Sequence, residues 1–427
     1  MTSVRDLVQP DRVHRSVYLD EDIFDLEMER IFGRAWMYVG HASQIPEPGD
    51  FLTTSLGRQP VVLSRHEDGE IFVMFNRCGH RGAVVCNEPN GNARHFRCCY
   101  HGWTFHTNGL IKAIPLQAGY PKGTNLDDPS LGMVQVPRVE IYRGFVFASL
   151  AVDGPSLATY LGPIVQTIDD ICDRSPVGEV EITGGVHRYE FQGNWKTQME
   201  NLNDLYHVPH SHESTTSGGR QFQRTGTATG SRLSREDGSP ISFWDQTGVW
   251  AFDGGHSYCG RMPNANPVSR EEHPEYVAAL EARLGEERTA QVLNVHWHNA
   301  LIYPNLCLQS MAQHIRVIRP LTVNRTEVQV YPIKLKGAPE KLNQTVIRYL
   351  NVTHAAASLI QTDDLEAFGR VQRGLSTDGS EWVFLGRGFG QEQPLDDAVG
   401  YRSEGTHELP LRNQYREWLN FMGEYAN

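Results

Sequence analysis

Two short runs constrain this chain more than any other feature. They are Cys78-Gly-His80 and, after seventeen intervening residues, Cys98-Cys-Tyr-His101-Gly-Trp103. The pattern is C-x-H … C-x-x-H. Thiolates favour soft metals and imidazole suits both iron and zinc. A Cys2His2 set could hold one tetrahedral Zn2+. It could instead hold a [2Fe–2S] cluster, with two Cys on one iron and two His on the other. The spacing separates these readings. Zinc sites favour C-x2-C and H-x3–5-H pairs, so that each loop is chemically uniform. Here each loop supplies one Cys and one His, as a two-iron rhombus shared between loops requires. Neutral imidazoles in place of two thiolates raise the reduction potential, which suits an electron entry point. Cys86, Cys99, His95 and His106 fall outside the paired spacing and are read as bystanders.

The surrounding residues predict a small all-β setting for these loops. Phe51 to Ser55, Pro60 to Ser64 and Glu70 to Phe75 are short β-rich runs, and Glu67-Asp-Gly69 is a hairpin signal between the last two. The texture continues through Val134-Gln-Val-Pro and Gly144-Phe-Val-Phe-Ala-Ser to about residue 150, and 40–155 is taken as one domain. Four of the seven cysteines crowd into 78–99, which is no secreted disulfide framework. The N-terminus is polar and lacks a signal-peptide core, and no apolar run approaches the ~20 residues of a membrane span. A cytoplasmic protein without a membrane partner is expected. The net charge of −12 and the lack of Lys/Arg blocks argue against nucleic acid.

A second cluster of ligand-type residues follows in Asn194-Trp-Lys-Thr-Gln-Met-Glu200-Asn201-Leu-Asn-Asp204-Leu-Tyr-His207-Val-Pro-His210-Ser-His212. The pattern predicts a helix over 194–206, begun by Asn194 at the cap. His207 would share a helical face with Asp204, and Pro209 would bend the chain so that His212 swings back. Two His and one distant carboxylate form the facial triad of non-heme Fe(II) oxygenases, with open positions for O2 and substrate. His210 points elsewhere. The carboxylate is sought in Ile360-Gln-Thr-Asp363-Asp364-Leu-Glu366. Successive helical residues differ by ~100°, so only one Asp of the pair can face the metal.

Elsewhere, Asp20 to Phe32 reads as a capped helix whose apolar spacing has one polar break, at Glu27. Glu179 to Gln192, Val295 to Pro320 and Thr326 to Leu335 read as strands, and Thr353 to Gly374 as a helix containing Ala355 to Ala357. The Ser/Thr/Gly-rich stretch 213–240 reads as a long loop or lid. The fold class is therefore α+β, with 1–39 an N-terminal helical segment packing on a catalytic domain at 156–427.

At these residues the chain resembles the α subunit of a Rieske ring-hydroxylating oxygenase over nearly its whole length. The resemblance implies an all-β Rieske domain inserted before a helix-grip catalytic domain. It implies cluster ligands Cys78, His80, Cys98 and His101, and mononuclear iron ligands His207, His212 and Asp364, the second Asp of the pair. Asp204 matches the carboxylate that links an iron-ligand His to a cluster-ligand His on the neighbouring subunit of a trimer. Asn299-Ala-Leu-Ile-Tyr-Pro-Asn305-Leu resembles the family's pocket-lining strand and reads equally as ordinary β core. Asn201 lies three residues before Asp204, where some naphthalene-type relatives have one more, which puts an Asn role at the iron in doubt.

The implied cofactors are a [2Fe–2S] cluster and Fe2+, with NADH used through a separate reductase. The implied partners are O2, a small aromatic substrate, that reductase with or without a ferredoxin, and further copies of the chain with or without a small β subunit. An aromatic acid is the first choice of substrate and cis-dihydroxylation the first choice of reaction. Monohydroxylation and O- or N-demethylation use the same chemistry. A Rieske electron-transfer protein without catalytic iron would not need the second constellation.

Overall fold

A computed structural model describes residues 3–213, 243–263, 268–297, 299–310, 312–396 and 398–423. They divide into two compact units, one of Phe32–Leu157 with Glu181–Thr183 and one of Met1–Ile31, Ala158–Val180 and Gly184–Asn427. No helix among the described residues is long and apolar enough to cross a membrane. The stretch read as a loop or lid at 213–240 lies, from 214 on, outside the described residues.

The smaller unit is built from three antiparallel sheets. The largest has the order Ile71–Phe75, Gln59–Arg65, Asp50–Leu56, Asn90–Asn92. Arg65 pairs with Ile71 across the hairpin at Glu67-Asp-Gly69, and Gly69 adopts φ 89°, the left-handed turn that glycine tolerates. A three-stranded sheet of Phe96–Arg97, Thr104–Phe105 and Ile111–Ala113 carries the second Cys/His loop. Val134-Gln-Val-Pro forms only an isolated bridge from Gln135 to Met74, shorter than the strand expected there. Phe51, Val62, Met74, Phe96, Trp103 and Phe105 form one buried core with Cys78 and Cys98, so the two thiols are part of it.

The larger unit centres on a nine-stranded antiparallel sheet. Its order is His187–Phe191, Arg325–Pro332, His314–Thr322, Leu306–Gln309, Ala300–Ile302, Ser257–Cys259, Val249–Phe252, Gly400–Ser403, Gln393–Pro394. Tyr189, Phe191, Val328 and Val330 pack against Leu350 and Phe368 of the helices Glu340–Thr353 and Gln361–Leu375. The single helix expected over 353–374 is thus two helices. His354 caps the first, and Ser358 hydrogen-bonds Thr353 O and Gln361 N across the break. Ala355 to Ala357 fall in that break. Alanine propensity is a weak prior that such side-chain bonds override.

The N-terminal helix Glu21–Arg30 is capped by Asp20, whose carboxylate accepts from the N–H groups of Asp22 and Ile23. The polar break at Glu27 is fully buried. Glu27 Oε1 pairs with Lys196 Nζ at 2.5 Å and accepts from Trp418 Nε1 at 2.7 Å, while Oε2 accepts from Trp195 Nε1 at 2.8 Å. A buried pair with several hydrogen bonds tolerates loss of neither partner. It anchors the start of Trp195–Leu202, the helix that leads into the metal-type residues.

Candidate functional site: two metal centres

In the smaller unit the two Cys/His loops have the same backbone construction. Cys78 N–H donates to Ala83 O at 2.8 Å and Gly82 N–H to Cys78 O at 3.0 Å. Five residues apart again, Cys98 N–H donates to Trp103 O at 2.8 Å and Gly102 N–H to Cys98 O at 3.1 Å. Gly82 and Gly102 hold φ 76° and 71°, a turn an L side chain rarely adopts. Each loop therefore buries one thiol at its base and turns one imidazole outward. The Cys78 and Cys98 side chains are hydrogen-bonded, and burial raises the Cys78 pKa. The His80 and His101 rings are 4.6 Å apart edge-on, and His80 stacks on Trp103 at 4.9 Å. His101 is exposed and His80 half-buried. His80 Nδ1 is buried without a partner. Two thiols beneath two neighbouring imidazoles, one with an unmet nitrogen, fit a cluster shared between the loops. Cys99 is exposed and Cys86 lies in the core, its carbonyl accepting from Asn76, so both stand apart from the set.

The second constellation lies in the larger unit. Asn194 caps its helix, accepting from Lys196 N–H, as expected. The helix stops at Leu202, however, and 203–206 are not helical. Asp204 and His207 meet for another reason. Asp204 Oδ1 accepts from Tyr206 N–H at 2.7 Å and from His207 N–H at 3.3 Å, a local turn that leaves Oδ2 3.5 Å from His207 Nδ1. His207 and His212 then flank the four-residue helix Val208–Ser211, with Pro209 in its first turn rather than at a bend. One turn of helix brings the two rings to 5.3 Å.

Asp364 completes the group from Gln361–Leu375. His207 Nε2 is 3.6 Å and His212 Nε2 3.4 Å from Asp364 Oδ1, and one ligand atom from each residue lies within 4.8 Å of the others. Both rings thus turn Nε2 inward and Nδ1 outward. The outward nitrogens face carboxylates: His212 Nδ1 is hydrogen-bonded to Asp363 at 3.2 Å, whereas His207 Nδ1 lies 3.5 Å from Asp204 without forming a hydrogen bond. Carboxylate–histidine pairs of this kind fix the tautomer and orientation of metal ligands. Burial lowers the His212 pKa, but Asp364 and Asp363 outweigh it and the net shift is upward. The donor set fits a divalent cation with open positions.

The structure also places the neighbouring residues whose positions the sequence left open. Asn201 Nδ2 lies 3.1 Å from Asp364 Oδ1 and 3.2 Å from His207 Nε2, so an Asn does reach this site. Asp363, one of two alternatives in the sequence, touches His212 rather than the centre of the group. His210 is exposed, its ring against Tyr206. On the same helix, the half-buried Glu200 accepts from the Tyr18 and Tyr415 hydroxyls, and desolvation pushes its pKa up to about 7. The repeated His and paired Asp were visible in the sequence. The Asn201 contact was not, because it joins two helices 163 residues apart in the chain.

Residues 35–135 match the family described as "Rieske [2Fe-2S] domain". Residues 183–423 match "Ring hydroxylating alpha subunit (catalytic domain)". The toluate 1,2-dioxygenase subunit alpha of Pseudomonas putida is 35% identical over 426 residues, covering 95% of this chain and 90% of that one. The 2-halobenzoate 1,2-dioxygenase large subunit of Burkholderia cepacia is 34% identical over 385 residues, covering 88% and 80%. A crystal structure of a naphthalene 1,2-dioxygenase F352V mutant bound to phenanthrene superposes with TM-score 0.83 at 26% identity, covering 98% of this chain and 94% of that one.

Proposed function

Because the chain belongs to the ring-hydroxylating α subunits, Rieske non-heme iron oxygenases acting on aromatic compounds, we propose that it is the terminal oxygenase component that cis-dihydroxylates an aromatic carboxylate. The observation that carries this reading is the convergence of His207, His212 and Asp364 on one point. The carboxylate preference is supported by relatives named for toluate and 2-halobenzoate.

In this reading Cys78, Cys98, His80 and His101 hold the [2Fe–2S] cluster. His207, His212 and Asp364 hold Fe2+. Iron in such a three-ligand site supplies O2 activation, with positions left open for O2 and substrate. The protein's own residues do the positioning. Asn201 fixes the Asp364 carboxylate, and Asp363 and Asp204 hold the two imidazoles with Nε2 inward. Asp204 also links His207 to a cluster-ligand His of a neighbouring copy in a head-to-tail trimer. Electrons come from NADH through a separate reductase, directly or by a ferredoxin, in the cytoplasm. The trimer forms with or without a small β subunit. Residues 1–39, 40–155 and 156–427 are the corresponding functional divisions.

The test is metal content followed by turnover. The purified protein should be red-brown with about three iron atoms per chain, two in the cluster and one in the triad. With reductase, NADH and 18O2, benzoates should yield cis-diols carrying both labelled atoms. A singly labelled phenol or a demethylated product would replace dihydroxylation by monooxygenation.

A further inference from the structure

One side chain on the inner face of the nine-stranded sheet has a charge that nothing described around it neutralises. Arg316 lies in the strand His314–Thr322, opposite Cys307 on one neighbouring strand and Val330 on the other. Residues opposite each other in an antiparallel ladder share a face. Val330 is on the face that packs against Leu350 and Phe368, so Arg316 points toward the layer that includes the helix of Asp364.

Arg316 is 4% exposed. Its one hydrogen bond among the described residues runs from Nε to His314 Nε2, at 3.2 Å. No described carboxylate is paired with it, whereas the partly exposed Arg319 three residues on pairs with Glu327 at 2.8 Å. A buried lysine could shed its proton; a guanidinium cannot. The charge therefore stays, and burial without a counter-ion is strongly unfavourable.

Other unmet groups occur on strands of the same sheet and on the helix of Asp364. The Tyr189 hydroxyl, Gln309 Oε1 and both amide atoms of Gln361 are buried with no partner. Gln361 is one helical turn before Asp364. Burial raises the Tyr189 pKa, with Arg316 opposing that rise and Asp364 adding to it. Gln309 Nε2 is 3.4 Å from His354 Nε2, and the His354 and His314 rings are 4.7 Å apart. Buried polar atoms in an ordinary core are paired. Several unpaired atoms beside an unneutralised cation mark a place for a polar, anionic ligand.

We propose that Arg316 binds the carboxylate of the substrate and so orients its ring toward the His207/His212/Asp364 site. The proposal rests on the aromatic-acid reading above and names the residue that enforces it. The guanidinium offers a planar fork of donors that matches a carboxylate, and Tyr189, Gln309 and Gln361 supply neighbouring polar contacts.

The experiment compares benzoate, benzamide and toluene with the wild type, R316Q and R316K, each loaded with cluster and iron. Binding is measured anaerobically by titration calorimetry and turnover by product analysis. Wild type should bind benzoate at least about 100-fold tighter than benzamide, as a buried charge-assisted pair implies. In R316Q the ratio of kcat/KM for benzoate over toluene should fall by a similar factor, with the loss mainly in KM; R316K should recover part of it. If wild type oxidises benzoate and R316Q keeps the wild-type ratio, Arg316 is not the carboxylate anchor and the aromatic-acid reading stands. If wild type itself binds benzamide as well as benzoate, the inference falls whether or not R316Q folds. If it oxidises toluene but no aromatic acid, the substrate reading fails as well.

Discussion

Asp363 Oδ2 lies 3.2 Å from His212 Nδ1, the ring nitrogen turned away from Asp364. Two adjacent aspartates thus reach the same histidine from opposite sides. One approaches Nε2, where a metal would bind, and the other holds the ring from behind. Asp364→Ala should strip the mononuclear iron and leave the cluster colour. Asp363→Ala should keep most iron and weaken its affinity by about 10- to 100-fold, the usual cost of losing an outer carboxylate partner. Metal analysis with the visible spectrum checks both. If the Asp363 variant is the one that loses iron, the two roles are exchanged.

Asp204 has two jobs that one substitution separates. Its Oδ1 caps the turn at Tyr206 and His207, and its Oδ2 faces His207 Nδ1. Asparagine can also cap, so Asp204→Asn should preserve the local fold and both metals. Turnover should nonetheless drop by about two orders of magnitude or more, since the negative partner of His207 is gone. Wild-type turnover in a fully loaded variant would leave Asp204 with capping alone.

Electron transfer between copies predicts complementation. Cys98→Ser disables the cluster and His207→Ala the iron site, and each alone should be inactive. Co-expressed, mixed trimers place a live cluster beside a live iron on neighbouring copies, and partial activity should return. No activity from verified mixed oligomers with their remaining metals in place would rule out the inter-copy route.

Glu200 makes stability depend on pH. Burial raises its pKa from 4.5 to about 7, with Asp204 adding to the shift and the Tyr415, Tyr18 and Lys196 contacts opposing it. A raised carboxyl keeps its proton in the folded state where the unfolded chain has released it. Stability therefore declines as pH rises between those two values, and the cost is complete above the upper one. It amounts to roughly 3 kcal/mol at most. Glu200→Gln removes the titration, so its Tm relative to wild type should improve between about pH 5 and about pH 8. A Tm difference that does not change with pH would mean that Glu200 titrates normally.

Much of this site was legible in the sequence because metal ligands are chemically unambiguous and close together in the chain. The two Cys/His runs carry their own turn-forming glycines, so the sequence alone specified both loops and the side chains they present. The spacing of His207 and His212 likewise needs only a single helical turn. The capping of two helices by Asp20 and Asn194 is equally local, since an Asx side chain reaches its own backbone.

Tertiary structure decided what depends on residues far apart. The polar break at Glu27 had no explanation in the sequence; in the fold, Lys196, Trp195 and Trp418 enclose it. The choice between Asp363 and Asp364 turns on the rotation of one helix relative to two histidines about 150 residues earlier. Asn201 meets Asp364 because its helix, Trp195–Leu202, packs against Gln361–Leu375, a contact 163 residues apart in the chain. Arg316 is the extreme case. Its sequence position is one of alternating polar and apolar residues in a strand, and only the sheet register shows that the charge faces inward. A local pattern specifies which groups are available, whereas the solvent and partners each group meets are properties of the packed chain.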